Sequence, residues 1–465
     1  MLHDDVLLEI FDFYAIEDSR ILVRQRIEGW QMLAHVCRRW RSVIFQSPRR
    51  LNLRLLCTPN THVRDTLDIW PPFPLILCDT NSIVDDEPSS VDNIIAVLEH
   101  HDRVCQIELR NLTCSKFGYI EDSAALRKPF PELTDLLLGT CGYDGSGPIL
   151  PDSFLGGAAP RLQSLRLDGV ALPALPRLHL SAPHLVYLDL FNIPSSGYIP
   201  PEVMATSLSA LTTLESFFLH FRYPRPRPAL ESRRPPPPPL TRSILPSLTS
   251  IWFKGASEYL EEILARIDAP RLDELHITFF NQIIFNTPQL FQFISRRPTL
   301  RASKKGHISF HSGAIVVKFL SQTSDYDAVS VQIRSTASEW QLSSLEQVCN
   351  SSLPPASTIE DLFIIDHAPV LWRPGWQDVE YTLWLDLLRP FVAVKNLYVS
   401  KESAPHIVAA LQELVGGRTA EVLPILEKIY FTGLIHLTVG MEKFFAARRL
   451  AGYPVEVHNF SSFPV

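Results

Sequence analysis

Pro131-Glu132-Leu133-Thr134-Asp135-Leu136-Leu137-Leu138, Pro160-Arg161-Leu162-Gln163-Ser164-Leu165-Arg166-Leu167 and Pro183-His184-Leu185-Val186-Tyr187-Leu188-Asp189-Leu190 share one spacing: a proline, then L-x-x-L-x-L. The pattern returns at 246–253, 270–277 and 424–431. Weaker copies end at Leu53, Leu77, Leu109, Leu219, Ile308, Ile333, Ile364, Val399 and Val457. Apolar residues two apart share one face of a strand, so each copy predicts a short strand that buries one face. The copies recur about every 29 residues, which leaves room for a return segment on the outside of each strand. Several returns read as helices. In 257–267, Leu260, Ile263, Leu264 and Ile267 share a helical face. Thr287-Pro288 reads as a cap followed by proline at the first helical position, with Leu290, Phe291 and Ile294 inward. Stretches 91–98, 344–349, 382–388, 406–414 and 441–450 read similarly. Strand plus helix, repeated, predicts an α/β array with a parallel sheet on its concave side.

This pattern resembles leucine-rich repeats, which implies a solenoid. The repeat consensus places Asn or Cys three residues past the last strand leucine. Here that position holds Leu112, Cys141, Val170 and Ile193, and later Glu402, so only Cys141 matches and an irregular solenoid is expected. One repeat carries an insert at 222–243, with Arg222-Tyr223-Pro224-Arg225-Pro226-Arg227-Pro228 and five consecutive prolines at 235–239. Such a run forces polyproline II. It is either a ligand for an aromatic groove or acidic partner, or a solvated loop.

The first fifty residues differ. Asp4 and Asp5 precede an amphipathic run in which Val6, Leu7, Ile10, Phe11 and Tyr14 form a stripe, and acidic residues favour a helix N-terminus. A second helix is predicted over 31–45, with Leu33, Val36, Cys37, Trp40 and Ile44 on one face and Arg38, Arg39 and Arg41 on the other. Two helices of this size need to dock on something. They either cap the array or form an interface. The stretches Leu2-His3-Asp4-Asp5-Val6-Leu7-Leu8-Glu9-Ile10-Phe11 and Val36-Cys37-Arg38-Arg39-Trp40 resemble the F-box, which reads L-P-x-E/D-x-L-x-x-I-F and then V-C-x-x-W. The residues kept are Leu2, Asp5, Leu7, Ile10, Phe11, Val36, Cys37 and Trp40. His3 stands where the motif has proline, and the segment 15–30 is longer than the usual connection. With Ser47-Pro48-Arg49-Arg50-Leu51, the opening is similar to F-box proteins abundant in mushroom-forming fungi. The resemblance implies that 1–48 bind a Skp-type adaptor and, through it, a cullin ubiquitin ligase, with the kept residues as the adaptor site. The array at 49–465 would then select a target protein. The alternative is a binding scaffold whose N-terminal helices only cap the array.

Composition bounds these readings. The chain has 465 residues, 46% hydrophobic and 20% charged, with a formal charge of −7, which suits a packed core and argues against nucleic acid as main partner. Prolines number 38 against 19 glycines, and proline is excluded from element interiors, so many element ends are expected. Seven scattered cysteines without C-x-x-C fit reduced thiols in cytoplasm or nucleus. The opening lacks a basic-then-apolar leader pattern and no stretch reads as a membrane span, so neither a secretory leader nor a membrane partner is expected. No phosphate-loop, dinucleotide, zinc-protease or serine-hydrolase motif occurs, and no cofactor or metal is expected. His100-His101 reads as a solvated helix end, Glu261-Glu262 as a solvated helix face, and 142–147 as a loop. A non-enzymatic adaptor is therefore expected. Its target surface would use the strand positions that alternate with the buried leucines: Phe191, Phe218, His220, Trp252, His276, Tyr398 and Tyr430, with Asp189 and Lys254 among them. Exposed aromatic residues dominate binding hot spots.

Overall fold

The computed structural model describes residues 3–16, 32–47, 54–58, 62–79, 88–141, 147–222, 242–280, 285–320, 327–334, 338–351, 353–367, 381–414, 418–432 and 441–460. Residue contacts divide the chain into two compact units, Met1–Ile199 and Pro200–Val465.

The proline of the repeat has a local physical role. In Phe130-Pro131-Glu132-Leu133 the first carbonyl accepts from the fourth N–H, and the same bond closes Ala159–Leu162, Ala269–Leu272 and Leu423–Leu426. Each is a four-residue turn with proline second, the position its fixed φ suits. The leucine that follows is buried, and the next residue starts the strand ladder. Thus Gln163 and Ser164 N–H both donate to Thr134 O, and Glu427 and Lys428 N–H to Lys395 O.

The first unit opens with helix Asp4–Ile16, then a helical stretch at 32–36 and helix Arg38–Gln46. The single helix expected over 31–45 is thus broken. Cys37 is extended, at φ −159°, and its Sγ accepts from Trp40 N–H at 3.4 Å, so it caps a new helix. Six strands follow: β1 (Leu55–Cys57), β2 (Leu75–Asp79), β3 (Val104–Leu112), β4 (Asp135–Thr140), β5 (Ser164–Asp168) and β6 (Tyr187–Ile193). All pair in parallel and in chain order. The strand expected to end at Leu53 is β1, two to four residues later, and Leu53 itself lies outside the described residues. Returns are helices at Val63–Ile69, Pro88–Glu99 and Cys114–Asp122, then shrink to short 3-10 turns and the single-turn helix Leu178–Ser181.

The second unit holds β7 (Ser216–Phe221), β8 (Ser243–Ile244), β9 (Ser250–Gly255), β10 (Ile267–Asp268), β11 (Glu274–Phe279), β12 (Lys305–His311), β13 (Ala314–Leu320), β14 (Asp327–Arg334), β15 (Asp361–Asp366), β16 (Asn396–Val399), β17 (Lys428–Thr432) and β18 (Glu456–Phe460). The main sheet runs β7-β9-β11-β14-β13-β12-β15-β16-β17-β18. Strand β13, absent from the repeat reading, is antiparallel to both neighbours. It belongs to a meander inserted in reverse, so β14 pairs with β11, and β12 with β15. A small parallel pair, β8 with β10, forms a second sheet. For that reason the helix expected over 257–267 ends at Leu264, and Ile267 is a buried strand residue. Of the insert at 222–243, residues 223–241 lie outside the described set and Ser243 begins β8. The loop at 142–146 lies outside it too.

Strand burial alternates. In β7, β9 and β11 the buried residues Phe217, Leu219, Ile251, Phe253, Leu275 and Ile277 face the helical side. Helix Pro288–Ser295 buries Leu290, Phe293 and Ile294, while Phe291, expected inward, is 42% exposed. Each unit is therefore an α/β, parallel-rich repeat array. Among the described residues no helix is long and apolar enough to cross a membrane.

Candidate functional site

The in-register pairing of the second unit lines up one residue per strand across the main sheet. Phe218 aligns with Trp252, Trp252 with His276, and His276 with Ser330. Ser330 aligns with Lys318, Lys318 with His307, and His307 with Phe363. Phe363 aligns with Tyr398, then Tyr430, then His458. These positions alternate with the buried apolar set, so they share the opposite face of the sheet.

The rings stack along this row. Trp252 lies 5.5 Å from Phe218 and 3.8 Å from His276 by ring centroids, and its Nε1 donates to Ser250 Oγ at 3.0 Å. Beyond Ser330 and Lys318 a second stack begins: His307 to Phe363 at 4.5 Å, Phe363 to Tyr398 at 4.3 Å, Tyr398 to Tyr430 at 4.4 Å and Tyr430 to His458 at 5.2 Å. Parallel strands hold neighbouring Cα atoms near 4.8 Å, close to stacking distance, so in-register rings pack face to face. Phe363 is buried between its neighbours, whereas Phe218, Trp252, His276, Tyr398 and Tyr430 are half-buried.

The histidines of this face carry little charge. Burial pushes His276 down to about 4, with Asp327 opposing and Lys318 assisting. It lowers His307 as well. His220 sits on the neighbouring row, aligned with Lys254, and burial together with Lys254 takes it to about 4. At neutral pH the His276 and His220 imidazoles are uncharged, so the stacks offer polarisable apolar surface with Lys318 between them. Lys318 is tied to Asp327 at 2.8 Å.

Of the expected target residues, Phe218, Trp252, His276, Tyr398 and Tyr430 thus fall on one row. Phe191 and Asp189 lie in the first unit on β6, aligned with Asp168 and Arg166. Arg166 covers the Tyr187 ring at 4.5 Å, and burial raises the Asp189 carboxyl to about 6 against the pull of Arg166. The sequence reading missed His307, Phe363 and His458. The same alternation, applied to the weaker copies ending at Ile308, Ile364 and Val457, identifies all three. Lys318 could not be found that way, because β13 has no repeat signature.

In the first unit, Leu7 and Phe11 are buried and the Phe11 ring meets Trp40 edge-on at 4.9 Å. Asp4 pairs with Arg39 at 2.7 Å, and Arg41 Nε donates to Ala34 O. Val6, Ile10, Met32 and Val36 are 44%, 45%, 67% and 59% exposed, an unusual apolar surface for two short helices. Asp5 and Cys37 are exposed, Trp40 is half-buried, and Leu2 lies outside the described residues. Within the F-box-like set, Leu7 and Phe11 therefore build the helical pair, while Ile10 and Val36 are presented to solvent.

Glu261 is not a freely solvated carboxylate. It accepts from the N–H groups of Gln289 and Leu290 at 2.8 Å each, closing the N-terminus of helix Pro288–Ser295, where Thr287 makes no side-chain cap. His101 Nδ1 lies 2.7 Å from Pro129 O, so this helix-end histidine is anchored too. Among the described residues, no group of three His, Cys, Asp or Glu side chains could hold a metal ion.

No family model matches the chain, and no curated protein matches it. Among solved structures it aligns with the leucine-rich repeat-containing protein LegL7 from Legionella pneumophila at 12% identity. The alignment covers 67% of this chain and 90% of that one, with a TM-score of 0.27. The repeat architecture rests on strand order and register.

Proposed function

We propose that the chain is a non-catalytic, intracellular protein-binding scaffold, and within that class a substrate receptor of a Skp–cullin–F-box ubiquitin ligase. The binding part of the reading rests on the row of rings across the second unit's sheet. Half-buried, mutually stacked aromatic side chains are rigid before binding and lose little entropy on contact. The adaptor part rests on the F-box resemblance together with the exposure of Ile10 and Val36 in the N-terminal helical region, where the Phe11 and Trp40 rings meet. Neither part calls for a nucleic-acid or membrane partner. A second reading, in which the helical pair only caps the array, draws on one observation: Phe45 meets Trp70 at 5.8 Å and Phe73 at 5.7 Å, so the second helix packs on the segment before β2.

Co-expression with a Skp-type adaptor separates the two. Ile10→Asp with Val36→Asp leaves the buried pair intact and abolishes adaptor recovery under the first reading. Unchanged recovery, or none from the wild-type chain, leaves the scaffold reading. Trp252→Ala with Tyr398→Ala tests the target face: adaptor recovery stays, while proteins captured by the wild-type chain are lost.

A further inference from the structure

Arg242, Arg296 and Arg297 of the second unit form a cationic cluster that the binding row does not use. The parallel pairing of β8 with β10 brings Arg242, one residue before β8, beside the chain at Arg266–Asp268, where Ser243 N–H donates to Arg266 O. Arg242 Nη2 also donates to Gln289 Oε1 at 3.2 Å. Gln289 and Arg296 are seven residues apart on one helical stripe, so Arg242 lies along the face that ends in Arg296. Arg296 Nε donates to Gln292 O at 3.0 Å, and Arg297 pairs with Asp268.

Of the three guanidiniums, only that of Arg297 is paired with a carboxylate among the described residues. Burial, Arg242 and Arg297 push the Arg296 cation below its ordinary range, and Asp268 opposes them. Among the described residues, Arg242 Nε, Arg296 Nη2 and Arg297 Nε are buried with no hydrogen-bond acceptor, and Arg297 as a residue is only 7% exposed. A helix C-terminus favours one cation there. It does not explain three, nor three buried donors left open, which native proteins rarely tolerate. Arginine's planar fork suits oxyanions with several acceptor oxygens. A second carboxylate would offer two oxygens and one charge, whereas a phosphate offers more oxygens and up to two charges, matching the open donors and the excess charge.

We infer that Arg242, Arg296 and Arg297 form a binding site for a phosphate group, free or carried as a small phosphomonoester. The test uses the full chain with inorganic phosphate, O-phosphoserine and acetate at equal ionic strength, at about 10 mM for thermal denaturation and by titration calorimetry. The expected result is a melting point raised by a few degrees by phosphate or O-phosphoserine and not by acetate, with Kd below about 1 mM. Arg242→Gln and Arg296→Gln, which keep the Arg297–Asp268 pair, should each weaken binding about tenfold or more, and Arg242→Lys should do so less. Tighter binding of O-phosphoserine assigns the site to a phosphomonoester, and tighter binding of inorganic phosphate to the free ion. An equal response to acetate, no binding at all, or undiminished binding by both folded Gln variants overturns the inference.

Discussion

Mild acid should loosen the binding face, and the histidines on it set the size of the effect. His220 and His276 fall from an ordinary 6.5 to about 4 in the folded chain, chiefly through burial. A depressed folded value means that the stability is fully present above pH 6.5 and is lost as pH falls toward 4. At pH 5 linkage gives about 2 kcal/mol per histidine; both rings are partly accessible, so roughly half survives screening, or about 2 kcal/mol for the pair. Asp189 runs the other way. Its carboxyl, raised to about 6, penalises the fold above that pH and relieves it on acidification. The informative comparison is therefore between chains. Urea denaturation followed by circular dichroism, at pH 7.5 and pH 5, should show wild type losing about 2 kcal/mol more on acidification than the His220→Gln, His276→Gln double variant. Loss of the stack on Trp252 offsets the variant equally at both pH values and cancels. An identical pH response in the two chains would refute the assignment of these imidazoles as buried and neutral.

Phe11→Ala should open the N-terminal helical pair at a local cost of about 3 kcal/mol or more, read as faster amide exchange over helix Asp4–Ile16, whereas Ile10→Ala should change exchange little. Glu261→Ala should cost about 1–2 kcal/mol in thermal denaturation by uncapping helix Pro288–Ser295, with Glu261→Gln recovering part of it. Arg448, fully buried, donates to the carbonyls of Thr419, Leu423 and Leu426. Arg448→Ala leaves these acceptors unmet, at about 3 kcal/mol or more. Limited proteolysis should then cut within 418–460 while β7 to β11 stay protected.

The repeat was legible in the sequence because its signals are local. Proline in second place of a turn, then leucines two apart, marks turn and strand within eight residues, and Leu136, Leu138, Leu165, Leu167, Leu188 and Leu190 are all buried as that alternation requires. Helix faces were legible for the same reason in the returns, apart from Phe291, two residues from the buried Phe293; in the N-terminal stripes Val6, Ile10 and Val36 are exposed and the helix over 31–45 breaks at Cys37. The meander was not legible. Strands β12 and β14 both carry apolar alternation, but their order in the sheet depends on β13 running back between them, and pairing across strands leaves no mark in either strand alone. Glu261 was misread for a like reason: its acceptors' partners lie 28 and 29 residues away, on a helix whose position only packing settles. The sequence by itself determined which residues alternate and therefore which rings leave the core. Tertiary structure decided that Phe218, Trp252 and His276 form one stack and His307, Phe363, Tyr398, Tyr430 and His458 another, because register between strands is set by the whole sheet rather than by any one of them.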